Sequence, residues 1–258
     1  MKSDEILDLF NKHLRIDIIE PDSRREQTDS VIRKVSLTNE PGFITYSNMN
    51  ESNADRVIEE QIAYYKKLKQ QFEWKVYDYD KPSDLKERLL KKGFTIEESE
   101  ALMISDLTKE NLLLDIPVQP EIRRIINEQE IWDIMKLEED VWSENHQDLG
   151  QRLVRDFHDS TAHLSLYGAF VNGKVVSAAW MYLHEGTPFA SLWGGSTLAN
   201  YRKKGYYSSL LAIRAREAAA NGYPLLMVDA SHMSRPILEK HGFHCFGHST
   251  PCMSPKFE

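Results

Sequence analysis

Cysteine is scarce: Cys245 and Cys252 are the only two among 258 residues, and no CxxC pair occurs. A disulfide framework is not expected, no thiolate pair suggests zinc, and a reducing, cytoplasmic setting fits best. His158 and His163 have no partners at metal-ligand spacing, so no metal is expected. Long hydrophobic runs are missing as well. The longest, such as residues 175–183, fall far short of the roughly 20 residues that span a bilayer, and no membrane association is expected. The opening MKSDEILDLF interrupts its apolar residues with Asp4, Glu5 and Asp8, unlike a signal peptide. Basic charge is in deficit, with 32 Lys and Arg against 40 Asp and Glu and a formal net charge of −8. That argues against a broad nucleic-acid-binding face, while leaving room for a local cationic site. No GxxxxGK[ST] sequence occurs, which excludes a Walker-type phosphate site.

What is present suits a folded protein. Hydrophobic residues make up 41% and charged residues 28%, enough for a real core and a soluble surface. The length allows one large domain or two ordinary ones. An amphipathic helix is predicted over 4–14, with strands at 31–37 and 43–46 around the turn Asn39-Glu40-Pro41-Gly42. A helix over 54–70, a strand over 74–79, a short helix over 83–92 and a strand near 102–104 follow. Pro117 and Pro120 punctuate the chain, so the division is placed between 1–116 and 117–258. Beyond it the pattern predicts a strand at 121–126 and helices at 128–142 and 148–158. Strands at 164–171 and 174–183 flank Asn172-Gly173, the strongest short hairpin signal a sequence offers. A strand at 189–198, a basic loop, a helix over 206–221, a strand at 224–229, a short helix over 235–241 and a strand at 243–248 complete the chain. The fold class is α/β (α+β), with a mixed, mostly antiparallel sheet flanked by helices.

The two parts echo each other. Leu89-Leu90-Lys91-Lys92-Gly93-Phe94 mirrors Leu238-Glu239-Lys240-His241-Gly242-Phe243, and the same offset carries Asp80 onto Asp229. We read this as two tandem copies of one fold, the first eroded.

The sharpest chemical feature is Arg202-Lys203-Lys204-Gly205-Tyr206-Tyr207-Ser208, between an apolar strand and a helix. Free backbone N–H groups at a helix N-terminus bind anions. Three cations before it suit a multiply charged one such as a pyrophosphate, and Gly205 permits close approach. Gly194-Gly195 inside a strand suggests a bulge that leaves an N–H free to polarise a carbonyl.

This loop resembles that of the GNAT acyltransferases, Arg/Gln-x-x-Gly-x-Gly/Ala, with Arg202 and Gly205 matching and Tyr207 in place of the usual small residue. The order of elements over roughly 120–250 and the Gly242-Phe243 ending are similar to the family's as well. The resemblance implies acetyl-CoA as co-substrate, in a wedge between the strands at 189–198 and 224–229. Its pantetheine would run along Ser196, Thr197 and Leu198, and its diphosphate would rest on Arg202, Lys203, Lys204, Gly205, Tyr206, Tyr207 and Ser208. The implied activity is N-acetyl transfer to a small-molecule or peptide primary amine by direct attack. The assembly could be a homodimer.

Two departures bear on catalysis. Leu238 stands where the family often has a tyrosine that protonates the departing thiolate, and Ser231 where many members have an asparagine. Tyr206, Tyr207, Ser231 and His232 are the candidate substitutes. An amine with a pKa near ~10.4 must lose a proton before attack. Glu185 is the first candidate base, followed by His184, Asp229 and Glu144. The acidic run Glu138-Glu139-Asp140 could attract a cationic amine or be a solvated helix face, and Trp142, Trp180 and Trp193 could wall a pocket or fill the core. Two other functions share the pattern. A Fem-like aminoacyl-tRNA-dependent transferase would need a cationic groove, which the acidic composition disfavours. A non-catalytic acyl-CoA-binding regulatory module would keep the loop without the chemistry.

Overall fold

A computed structural model describes residues 1–20, 22–108, 110–159 and 163–257. The chain falls into two compact units, which interleave in sequence. The first comprises Met1–Met103, Asp229–Arg235 and Cys245–Glu258, and the second Ile104–Val228 and Pro236–His244.

The first unit opens with α1 (Ser3–Phe10), which passes into a wider π-helical turn, Asn11–Ile16. An edge strand β1 (Ser23–Gln27) precedes β2 (Val31–Ser36), β3 (Gly42–Ser47), α2 (Ala54–Leu68), β4 (Phe72–Tyr77), α3 (Leu85–Lys91), β5 (Thr95–Ile96) and β6 (Glu100–Asp106). β1 escapes sequence prediction because SRREQ has no apolar alternation, and its charged side chains suit an exposed edge. The last strand, β12 (His244–Met253), is longer than expected. It runs through Pro251 and pairs antiparallel with β4, Ser249 opposite Tyr77 and Met253 opposite Glu73. Trp74, Tyr65, Phe72, Ile44, Ile58, Leu85 and Leu89 fill the core beneath.

β4 and its neighbours hold an unusual carboxyl. Burial pushes Glu73 up to about 7, with Lys75 pulling down and Glu97, Asp229 and Glu100 pushing up. A folded-state pKa raised above the unfolded value means stability present at low pH is lost as pH rises toward 7. Glu73→Gln should therefore raise the melting point above pH 7, by an amount equivalent to about 3 kcal/mol, and leave it unchanged near pH 4. Melting curves at the two pH values check this; equal shifts at both would refute it.

The second unit carries α4 (Leu112–Asp115), β7 (Ile122–Arg124), α5 (Glu128–Trp142), α6 (Gln147–Asp159), β8 (Leu164–Val171), β9 (Lys174–Leu183), β10 (Phe189–Thr197), α7 (Tyr206–Ala220), β11 (Leu225–Ala230) and α8 (Arg235–Lys240). α8 and β11 each lend residues to both units. Asn172 and Gly173 both take positive φ, as a tight turn between β8 and β9 requires. The strands of this unit run in the order β11-β10-β9-β8-β7, antiparallel except for β10 with β11. The segment after α4 lies along α7, where Arg216 Nε donates to the Leu114 carbonyl (3.0 Å) and Ser209 Oγ to that of Pro117 (3.3 Å).

Each unit repeats one arrangement. An antiparallel pair (β2 and β3; β9 and β10) leads through a helix (α2; α7) to a strand parallel to the second member. In both, the parallel pairing is short, 42–44 against 72–74 and 189–191 against 225–227.

Candidate active site

β10 loses β11 as a ladder partner beyond Ser191 while β9 continues to pair with it as far as Thr197. The peptide groups on its other side are therefore free of the ladder from Leu192 onward. The register breaks between Gly194 and Ser196, and the two glycines take φ of +67° and +91°. A Cβ at Gly194 would collide with the Trp180 ring, and one at Gly195 would lie 2.9 Å from Tyr207 Cε2. Glycine is needed at both positions by backbone and by space, and the expected bulge is present.

The basic loop follows. A short 3₁₀ turn, Ala199–Tyr201, leads to Arg202, whose Nε donates to the Thr197 carbonyl (3.1 Å) and ties loop to strand. Lys204 lies over the Tyr201 ring at 4.7 Å. Among the described residues none of Arg202, Lys203 and Lys204 has a carboxylate partner, and all three are exposed. Gly205 precedes α7 with φ +88°, and no side chain caps the helix. α5 contrasts with this, since the Asn127 side chain accepts from Glu130 N at 3.0 Å. Among the described residues, the first turn of α7 thus keeps free N–H groups beside three exposed cations that no carboxylate neutralises. Gln119 Nε2 donates to the Lys204 carbonyl at 2.7 Å and packs where a Gly205 Cβ would sit. Nothing in the sequence pointed to Gln119.

The other residues expected at the cofactor are held as follows. Ser196 Oγ donates to Glu138 Oε2 (2.6 Å), Thr197 Oγ shares a hydrogen with Ser177 Oγ (2.7 Å), and Leu198 N donates to the Val176 carbonyl (3.0 Å). Ser208 Oγ meets His241 Nε2 at 2.9 Å. Tyr206 is buried among Ile122, Tyr167, Val176 and Leu210. Tyr207 lines a narrow cleft with Leu192, Trp193, Gly194, Arg214 and Leu238.

The candidate bases scatter. The Glu185 side chain is 82% exposed, with His163 Nε2 at 3.5 Å. It follows Leu183, which pairs with Ala190 near the start of β10, so it sits at the opposite end of the strand from the bulge. His184 Nε2 shares a hydrogen with Ser191 Oγ at 2.8 Å. Asp229 is engaged by Lys75 Nζ (2.5 Å) and Ser249 Oγ (3.2 Å), and Glu144 is exposed. Ser231 Oγ faces Ser234 Oγ at 3.3 Å in the turn before α8, and exposed His232 faces Glu98 at 3.2 Å.

At the bulge stands Glu138 instead. Only 3% of it is exposed. Its Oε2 accepts from Ser196 Oγ and from Trp142 Nε1 (3.1 Å), while Oε1 is buried with no partner. Burial pushes its pKa up, against pulls from Ser196, His146 and Trp142. His146 Nε2 is another buried polar atom with no partner among the described residues. The helical signal was available, because Ile131, Ile134, Met135 and Glu138 repeat at core spacing and are all buried. Trp142 belongs to that face by spacing, yet it and Trp193 are each 47% exposed, and only Trp180 is core.

In the first unit the place between β3 and the end of β4 is bridged by Arg15, at the wall of a cavity of about 440 Å³. Arg15, on the π-helical turn, donates to the Thr45 carbonyl of β3 (3.0 Å) and to Asp80 just past β4 (2.7 Å). It covers the Tyr77 ring at 4.1 Å.

Residues 121–246 match the family model described as "Acetyltransferase (GNAT) domain". No curated protein sequence matches the chain significantly. Among solved structures, a GCN5-related N-acetyltransferase from Kribbella flavida superposes with a TM-score of 0.66 at 12% identity, covering 98% of this chain and 94% of that one. A conserved protein of unknown function from Staphylococcus epidermidis gives 0.68 at 14% identity, covering 93% and 96%. A tandem GNAT protein from the clavulanic acid biosynthesis pathway gives 0.60 at 11%, covering 93% and 85%. Such low identities carry the fold alone. Among the described residues no helix is long and apolar enough to cross a membrane, and no cluster of His, Cys, Asp and Glu could hold a metal. Residues 121–246 are thus similar to the GNAT acetyltransferase domain, in a polypeptide whose fold is that of the tandem GNAT protein it superposes on.

Proposed function

We propose that this protein is an acetyl-CoA-dependent N-acetyltransferase acting on a small-molecule or peptide primary amine, with the chemistry in residues 117–258. One observation carries the proposal: among the described residues, an uncapped helix N-terminus with three exposed cations that have no carboxylate partner lies just beyond a bulged strand that has lost its ladder neighbour on one side. Those groups fit the donor. Arg202, Lys203, Lys204 and the first N–H groups of α7, at Tyr206, Tyr207 and Ser208, would hold a diphosphate. Ser196, Thr197 and Leu198 would hold the pantetheine. When bound, acetyl-CoA supplies an activated acetyl group. Glu138 takes the amine's proton, since it is buried beside the bulge with one oxygen unpaired, and His146 lies within electrostatic reach of it. The half-exposed indoles of Trp142 and Trp193 give a cationic amine aromatic surface on its way in.

Residues 1–116 are, in this proposal, an eroded copy that binds no coenzyme A. Its counterpart of the basic loop, residues 50–56, is acidic and polar, and Arg15 ties β3 to the residue that follows β4. A cytoplasmic location follows from the chemistry, because acetyl-CoA is an intracellular donor.

Thermal shift with acetyl-CoA, followed by thiol release in the presence of a panel of amines, tests the function. A clear shift with amine-dependent thiol release is expected. No shift in the folded protein would refute it, and a shift with no turnover would favour an acyl-CoA-binding regulatory module.

A further inference from the structure

Among the described residues, Arg214 is a buried cation without an anion. Its residue is 2% exposed, and its guanidinium bonds only to carbonyls: Nε to Leu210 O (2.9 Å), and Nη1 to Trp180 O (2.9 Å) and Trp193 O (3.2 Å). Trp180 and Trp193 oppose each other on β9 and β10, one step before the bulge. Dipoles only partly offset the cost of burying such a charge, so the site favours the arrival of a negative charge. The guanidinium lines the same cleft as Gly194, Tyr207 and Leu238. That cleft is narrow, about 10 Å³, which is the room of about one water, so a departing sulfur would meet its residues at the mouth. The Tyr207 ring lies against Gly195, and Leu238 offers no proton.

We propose that this cleft is the leaving-group subsite of the transferase, with the Tyr207 hydroxyl as proton donor to the departing sulfur and Arg214 as the residue that positions the bulge and stabilises the phenolate. The inference rests on the acetyl-CoA reading above and assigns residues within it. The amine nitrogen bonds to the thioester carbon and its proton passes to Glu138. As the C–S bond breaks, its electron pair goes to sulfur, which takes the Tyr207 proton, and water then reprotonates Tyr207. The charged surroundings are simple. β10 carries no titratable side chain, the cleft residues of β11 and α8 are Val228 and Leu238, and His241, just past α8, is held by Ser208. Arg214 is the cation from Tyr207's own helix. Burial raises the Tyr207 pKa while Arg214 lowers it, so the phenol stays protonated at neutral pH with its conjugate base stabilised nearby. Burial brings Arg214 itself down to about 10, still charged at pH 7.

Tyr207→Phe and Arg214→Gln, each on the full chain, test the assignment. Tyr207→Phe should lower kcat about 100-fold, leave the KM for acetyl-CoA within about threefold, and remove the alkaline limb of the pH–rate profile. Near-ultraviolet titration of the phenolate, parent minus Tyr207→Phe, needs no substrate. In Arg214→Gln its midpoint should move to higher pH, a readout that a merely structural arginine would not alter in this direction. Normal kcat in Tyr207→Phe, with an active parent, would overturn the subsite and leave the acetyltransferase reading intact. An unmoved or lowered midpoint in Arg214→Gln would remove Arg214 from the mechanism. A parent that turns over no amine would sink both readings.

Discussion

Gly205→Asp is expected to abolish the thermal shift that acetyl-CoA gives the parent. Position 205 has φ +88°, and a Cβ there would meet Gln119 Nε2 at 2.7 Å, so the side chain displaces the very contact that shapes the loop. A carboxylate at this point also cancels the field of an uncapped helix N-terminus. Arg202→Ala is the milder partner. It removes a charge-assisted contact of ~1.5–3 kcal/mol, equivalent to a loss of roughly 10- to 150-fold in affinity, and releases the tie to Thr197. Both variants should melt within a few degrees of the ligand-free parent. Titration calorimetry with acetyl-CoA checks the affinities, and the parent's Kd should weaken as salt is added. Undiminished binding by Gly205→Asp would mean that acetyl-CoA, if it binds, binds elsewhere.

Glu138→Gln is expected to lose activity while gaining stability. The amide keeps the carboxylate's shape between Ser196 and Trp142 but has no capacity to accept the amine's proton, so kcat/KM should fall by ~10²–10⁴ at pH 7. In the parent, the rate should decline on the acid side at a pH above the usual carboxylate range, because burial raises the Glu138 pKa. That limb should vanish from the residual rate of the variant. The stability sign runs the other way from an ordinary core substitution. A carboxyl with a raised folded pKa stabilises fully only at low pH, and this contribution fades as pH rises through its folded value. Above that pH the parent holds a buried, half-satisfied carboxylate, so Glu138→Gln should melt higher at pH 8 and equally at pH 4. Greater stability with less activity marks a group kept for chemistry. A variant that melts lower at pH 8 and keeps its activity would assign Glu138 to packing.

Much of the second unit was legible in its sequence, and the reasons are local. Asn172-Gly173 accepts the positive φ its turn demands, so the strands on both sides start where expected. Gly194-Gly195 announced a bulge because little but glycine relieves two successive left-handed residues in a strand. Gly205 and its three cations marked the loop by composition alone. Tertiary position was harder to read. Glu185 looked like a base because it ends a strand, and nothing in the sequence tells which end of β10 it faces. Glu138 was visible only as part of an acidic run, although its helical phase with Ile131 and Ile134 separates it from exposed Glu139 and Asp140. Arg214 sits in the middle of α7, where an arginine ordinarily reaches solvent, and only the three-dimensional structure reveals its burial. In the first unit, β1 lacks alternation and the end of β12 passes through a proline. Propensity argues against a strand in both places, and pairing with neighbours decides otherwise.

The assignment of 245–258 to the first unit has a consequence for synthesis and for truncation. β4, made early, presents one row of peptide groups that is matched only when Ser249–Met253 leave the ribosome, close to 180 residues later. Such a distant closure is slow. Through most of translation the nascent first unit therefore exposes an unmatched strand beside a core containing Trp74 and Phe72, a surface prone to self-association and suited to chaperone capture. No single cut divides this polypeptide into two intact parts. A stop codon at position 245 would spare every residue of the basic loop at 202–208 and still cost the protein its amino-terminal half.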